Sequence, residues 1–319
     1  MKIKLLDLFS GIGGFHLGLE KAGFEFDWVG FSEIDSFASK QYKRRFPYAK
    51  ELGDITTIQS GDLPGDITIL CGGFPCQAFS MAGKRRGFDD TRGTLFFEIA
   101  RLLRHFKDIG KPIPYFVLEN VKGLLSHDDG QTFATIYGVL TQLDYTIECQ
   151  ILNTKWFLPQ NRERIYIVGH LGKPGRSKIF PIGENDARNR KVEFSRETTS
   201  KKEWDMQNIK NRGRYPLHRG KIKRIAGKYG QTTRWGVYDK NGISPTLTRA
   251  MGDGGGHIPM IGKVLRRLTP IECERLQGFP DGWTKGQSDT QRYKQLGNAV
   301  SVPVVAAVGD KIHKDMFCG

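Results

Sequence analysis

Ile67-Thr68-Ile69-Leu70-Cys71-Gly72-Gly73-Phe74-Pro75-Cys76-Gln77-Ala78-Phe79-Ser80 decides the architecture of this chain. Its first five residues form an apolar-rich run with the length of a short buried strand. Two glycines and a proline then force a turn, so Cys76 is expected in a loop at the carboxyl end of a central strand. Open α/β sheets carry their chemistry at that edge. A cysteine there suits a nucleophile once its thiol is ionised or brought to an electrophile. A lone cysteine is more often a small buried hydrophobe, and only the company Cys76 keeps along the rest of the chain overturns that reading.

Residues 1–170 alternate strands and helices, which implies a mainly parallel sheet. Ile3–Leu8 reads as the first strand and Phe15–Ala22 as the helix that follows a glycine turn. Asp27–Ser32, Ile67–Cys71 and Pro114–Glu119 read as further strands. Leu95, Ile99, Leu102, Leu103 and Phe106 recur at helical spacing within Thr94–Phe106, and Thr132–Leu143 has the same character. Ile147–Leu152 and Arg164–His170 are expected to complete the sheet as antiparallel strands near an edge. Beyond Gly172 the periodicity fades into glycine, lysine, arginine and asparagine, leaving either a small irregular domain or a set of long loops. Regularity returns at Leu268–Leu276, with Thr269 as N-cap and Pro270 at the first helical position. Val300–Ile312 reads as a closing helix. The expected division is 1–171 for catalysis and cofactor, 172–263 for a basic segment, and 264–319 returning to the first domain.

The charge is concentrated in one place. Residues 172–263 hold 21 lysines and arginines against 8 acids, an excess of 13 out of the chain's +15. A solvated lysine-rich surface is normally balanced by acids, so this segment reads as a footprint for a polyanion. The 38% hydrophobic and 26% charged fractions allow a real core and argue against disorder. Asp7 interrupts the first apolar stretch before a signal peptide can form, and no run is long enough to cross a bilayer. The five cysteines have neither staple nor zinc spacing, so no metal is expected and a reducing, cytoplasmic setting fits.

Asp7-Leu8-Phe9-Ser10-Gly11-Ile12-Gly13-Gly14-Phe15 passes from strand through close glycines into a helix, which lets a nucleotide-like ligand approach the backbone. Glu33 follows about twenty residues later at a strand end, where an acid can bind ribose hydroxyls. Asp54 in Gly53-Asp54-Ile55 is a third candidate, able to accept from an exocyclic amine. These features do not separate a dinucleotide from S-adenosylmethionine, although the missing GxGxxG spacing counts against the former. Glu119 in Glu119-Asn120-Val121 ends a strand near that of Cys76 and can polarise or protonate a ring nitrogen. Arg162 and Arg164 alternate along an extended segment and suit a phosphate or a carbonyl oxygen, or else guard a sheet edge.

With these residues assembled, the chain resembles the DNA (cytosine-5) methyltransferases, most closely the compact bacterial modification enzymes of the HhaI type. The likeness runs through DLFSGIGGF at 7–15, Glu33, GDI at 53–55, GFPCQAFS at 73–80, ENV at 119–121, Gln160 with Arg162 and Arg164, RLTPIECERLQGFP at 267–280 and GNAVSVPV at 297–304. It implies a Rossmann-like methyltransferase fold with a smaller target-recognition domain. It also implies S-adenosyl-L-methionine as cofactor, S-adenosyl-L-homocysteine as product, and double-stranded DNA as partner. By resemblance Cys76 supplies the thiolate that adds to cytosine C6, Glu119 holds the ring-nitrogen edge, and Arg164 with Arg162 holds O2. Phe9, Ser10, Gly11, Gly13, Gly14, Glu33, Ile34, Asp54, Ile55, Pro75, Leu95, Asn298 and Val300 are the cofactor candidates. Gln77, Ser80, Lys84, Arg85, Gln231, Arg234, Thr246 and Thr248 are the DNA candidates, with Gln231 filling the vacated stack, Arg234 reading a base and Thr246 touching phosphate. The loop Ser80–Thr94 is implied to close over the DNA. Ala82 stands where the HhaI type has a serine, so a hydrogen bond from that position is absent here. A monomer is expected, with a cognate restriction endonuclease acting separately.

Two other classes compete. A tRNA methyltransferase on the same scaffold has a different residue after its Pro-Cys and a far less basic insert. A non-catalytic DNA-binding regulator descended from the enzyme is expected to lack Cys76, Glu119 or an arginine, and this chain keeps them all.

Overall fold

The computed structural model describes residues 3–75, 95–171, 178–183, 224–227, 236–239, 241–253, 257–261 and 266–318. Contacts divide the chain into two units. The first comprises Met1–Leu152, Glu163–Pro181 and Val308–Gly319, and the second Asn153–Arg162 and Ile182–Ala307.

The first unit is a seven-stranded sheet in the order β3-β2-β1-β4-β5-β7-β6. Its strands are β1 (Ile3–Leu8), β2 (Phe26–Ser32), β3 (Lys50–Gly53), β4 (Ile69–Gly73), β5 (Tyr115–Val121), β6 (Thr146–Asn153) and β7 (Glu163–His170). β1 to β5 run parallel, and β7 pairs antiparallel with β5. All five parallel strands therefore end at one edge. The antiparallel β7 begins there, with Arg164 opposite Val121. Strand order reverses around β1, which leaves the ligand-binding crevice of an open α/β sheet beside its carboxyl end.

Helices α1 (Gly14–Lys21), α2 (Ser36–Arg45), α3 (Leu95–Asp108) and α4 (Gln131–Thr141) follow strands. α3 buries Phe96, Ile99, Ala100, Leu102, Leu103 and Phe106 on one face, as its sequence spacing predicts. That face joins a core with Leu6, Leu70, Phe116, Leu118, Ile165 and Ile167. α2 has little apolar character, and Asp35 fixes its start by accepting from the N–H groups of Phe37 and Ala38.

The second unit contains a small sheet in the order β11-β10-β9-β8, built from Arg224–Gly227 (β8), Gly236–Tyr238 (β9), Met260–Ile261 (β10) and Arg266–Arg267 (β11). α5 (Pro270–Gln277) and α6 (Asp289–Asn298) follow, and α7 (Val302–Cys318) passes from the second unit into the first. The division differs from the sequence expectation for 264–319. Residues up to 307 pack in the second unit, and only the end of α7 returns to the first. There Tyr115 donates to Asp315 at 2.5 Å, within the first unit.

Candidate active site

The turn after β1 holds Phe9 (φ +51), Gly11 (φ +54) and Gly13 (φ +84) in the left-handed region. A Cβ on Gly13 would stand 2.5 Å from the Phe46 ring, so this turn closes only with glycine there. Glu33, just past β2, ties the turn down. Its Oε2 accepts from Gly11 N and its Oε1 from Asp35 N, each at 2.8 Å. Burial pushes the Glu33 carboxyl up, while those two N–H groups pull it down. Among the described residues the buried Ser10 hydroxyl has no hydrogen-bond partner, and a Cβ on Gly11 or on Gly53 would meet nothing within 4 Å. An unsatisfied hydroxyl, a presented carboxylate and open space beside two backbone turns fit an amino-acid nucleoside such as S-adenosyl-L-methionine.

The other cofactor candidates of the first unit lie on or just past the same strand ends, or open the next helix. Ile34 follows Glu33 and is 74% exposed. Asp54 follows β3 and caps a short turn by accepting from Thr56 N at 2.9 Å, with Ile55 buried beneath. Gly14 opens α1, Leu95 is half-buried at the start of α3, and Pro75 is the last described residue before Cys76. Asn298, exposed at the end of α6, and Val300, buried, belong to the second unit.

Glu119 and Arg164 meet, with Arg164 Nε 3.1 Å from Glu119 Oε1 and both side chains largely buried. This pair is a carboxylate and a guanidinium at the strand edge that leads to Cys76. Beside it, Asn120 donates its amide N–H to Phe74 O at 2.9 Å and accepts from Val121 N at 2.8 Å. Asn120 thus pins the backbone two residues before Cys76, a positioning role that its place in the Glu-Asn-Val motif does not reveal. Behind the turn, Asp7 is fully buried between Cys71 Sγ (3.4 Å) and the Tyr42 hydroxyl (3.2 Å). Tyr42 is also hydrogen-bonded to His16, which contacts Tyr48. Burial raises the Asp7 carboxyl to about 8, and the charge of Glu33 adds to this while the two hydrogen bonds oppose it.

Arg162 departs from the expectation that it shares a face and a role with Arg164. It precedes β7 and lies in the second unit, 3% exposed. Its guanidinium donates to Leu247 O (3.0 Å), Ala299 O (2.9 Å) and Gly297 O (3.4 Å). Alternation predicts a shared face only within one strand, and the strand starts after Arg162. Thr246 and Thr248 are half-buried nearby, and the Thr246 hydroxyl donates to Asn161 O at 2.5 Å. A phosphate contact from that hydroxyl therefore has to displace Asn161 O. Cys76, Gln77, Ser80, Lys84, Arg85, Gln231 and Arg234 lie outside the described residues, as does Ala82.

A Rossmann-like sheet with a nucleotide-type crevice and an acid–arginine pair at its carboxyl edge defines a methyltransferase-like α/β enzyme. The comparisons sharpen that class. The model of C-5 cytosine-specific DNA methylases matches residues 3–314, and the chain belongs to that family. The type II methyltransferase M1.ScrFI of Lactococcus lactis subsp. cremoris is 41% identical over 98% of this chain and 78% of its own length. M.HhaI of Haemophilus parahaemolyticus is 38% identical over 97% of this chain and 94% of its own. Among solved structures, S. pombe Dnmt2 methyltransferase has a TM-score of 0.71 at 21% identity, covering 99% of this chain and all of that one. The protein is a C-5 cytosine-specific DNA methyltransferase with a Rossmann-like fold. No helix among the described residues is long and apolar enough to cross a membrane.

Proposed function

We propose that this chain moves a methyl group from S-adenosyl-L-methionine to C5 of a cytosine flipped out of a specific double-stranded DNA sequence, through a bond between Cys76 Sγ and C6. The observation that carries it is the Glu119–Arg164 pair at the sheet edge where the Glu33–Gly11 clasp also lies. Cytosine C5 is a poor nucleophile. Addition of the Cys76 thiolate to C6 moves electron density to C5, which then attacks a methyl carbon. The sulfonium of the cofactor supplies that methyl and leaves S-adenosyl-L-homocysteine. Glu119 holds the ring-nitrogen edge of the cytosine and offsets charge gained during attack, while Arg164 holds O2. Loss of the C5 proton and departure of the thiolate restore the ring as 5-methylcytosine.

Glu33 is assigned to the ribose hydroxyls, Asp54 to the adenine amine, and the Ser10–Gly14 turn to the methionine portion. Phe9, Ile34, Ile55, Pro75 and Leu95 are assigned as apolar walls, and Asn298 and Val300 are assigned to the same cofactor by resemblance. A base inside a duplex is out of reach, so the enzyme must flip it. The basic segment 172–263 is assigned to DNA recognition, with Gln77, Ser80, Lys84, Arg85, Gln231, Arg234, Thr246 and Thr248 at the interface. We assign the chain to the cytoplasm as a monomer, and a separate restriction endonuclease accords with relatives that carry type II methyltransferase names.

Bisulfite sequencing of DNA from a methylation-free host expressing the chain tests the reading. Protected cytosines within one recurrent sequence are expected. Their absence, with folded protein and cofactor present, overturns it.

A further inference from the structure

We infer that Arg162 is a positioning residue, which holds the DNA-facing stretch Thr246–Thr248 in place against the backbone on either side of Asn298. Its planar guanidinium presents five N–H donors in a fixed fork, a shape that can serve several acceptors at once. Here the acceptors are backbone carbonyls from two separate segments, Leu247 on one side and Gly297 with Ala299 on the other. Both segments lie in the second unit with Arg162 itself.

Neighbouring contacts make this a clamp. The Gln160 amide accepts from Leu247 N at 2.9 Å and donates to Leu276 O at 2.8 Å. Asn161 N donates to Ser244 O and Ser244 N to Pro159 O, so residues 159–161 lie strand-like along 244–246. A Cβ on Gly297 would come within 2.2 Å of Thr248 C and O, so the two backbones are in direct contact. Remove the guanidinium and three buried carbonyls lose a donor together. Those carbonyls flank Thr246, Thr248 and Asn298, the residues assigned to DNA and cofactor. Its commitment to these carbonyls separates Arg162 from Arg164, whose Nε faces Glu119 instead. The cytosine carbonyl is then left to Arg164.

The inference rests on the proposed DNA-facing role of the basic segment, and its test separates the two. Arg162→Lys keeps the charge but loses the fork. Fluorescence anisotropy gives the Kd for duplex DNA carrying the methylated sequence, and single-turnover methyl transfer gives the rate at saturating DNA. Arg162→Lys is expected to raise Kd by about tenfold or more while lowering the saturated rate by about threefold or less. Arg164→Lys is expected to show the opposite split. Gln160→Leu, which frees Leu247 N from the same clamp, is expected to follow Arg162→Lys. If Arg162→Lys does not fold, Gln160→Leu carries the test alone.

A change in DNA affinity below about twofold, whatever happens to the thermal midpoint, overturns the inference and leaves a structural role only. A saturated rate that falls more than the affinity also overturns it and returns Arg162 to the cytosine. If the wild type itself binds DNA without a steep salt dependence, the proposed function of the segment fails, and with it the premise of this test.

Discussion

In the proposed reaction Cys76, Glu119 and Arg164 divide the work at the reacting carbon, and Cys76 is the residue without a substitute. A serine hydroxyl is far less ionised than a thiol near neutral pH. Cys76→Ser is therefore expected to abolish methyl transfer while leaving S-adenosyl-L-homocysteine affinity unchanged, as calorimetry beside a methylation assay will report. Turnover near the wild-type rate would remove Cys76 from the nucleophile's role. Asp7 makes a prediction of another kind. Its carboxyl titrates at about 8 in the folded protein against 3.8 for the free side chain. Between those values the folded state keeps a proton that the unfolded state has released, so stability falls as pH rises from about 4 towards 8 and levels above. The slope reaches at most ~1.4 kcal/mol per pH unit. Asp7→Asn is expected to flatten that slope in urea melts across the same range, and an unchanged slope would place the proton elsewhere. At this scale, sequence and structure part company over partners. Asp7 reads as an interruption in an apolar strand, and nothing local shows that Cys71, 64 residues on, closes over it.

Elements were most legible where an apolar stripe or a cap announced them. Thr269-Pro270-Ile271-Glu272 shows why. Thr269 Oγ1 accepts from Glu272 N while Glu272 Oε2 accepts from Thr269 N, so both ends of a capping box are closed. Thr269→Ala is expected to cost about 1 kcal/mol of stability, read as a lower urea midpoint at constant slope. No change in midpoint would mean that the start of α5 is held by tertiary contacts alone. α2 and α6 escaped prediction for a stated cause. Ser36–Arg45 and Asp289–Asn298 are dominated by polar residues, so no periodicity marks them, and their starts depend on Asp35 and Ser288 accepting backbone N–H groups. The closing helix begins two residues later than Val300, since Val300 and Ser301 precede its first turn.

At the scale of the whole molecule, charge makes the sharpest prediction. If residues 172–263 neutralise phosphates, the logarithm of DNA affinity falls linearly with the logarithm of salt, with a slope of roughly −0.9 per phosphate contacted. A titration from low to physiological salt checks this, and a flat response would remove the segment from DNA. The excess of positive charge needed no coordinates, because composition alone carries it. The same holds for the strands and helices marked by an apolar stripe and for Glu33 and Glu119 at strand ends, since apolar periodicity and turn residues act over a few positions. The tertiary structure decided what joins residues distant in sequence. Glu119 finds Arg164 because β7 runs antiparallel to β5 and starts where β5 stops. Arg162, two positions earlier, is carried instead into the second unit and spent on carbonyls from residues 247, 297 and 299. Two arginines with the same spacing rule differ because local pattern sets where a side chain can point, and only packing sets what is there to meet it.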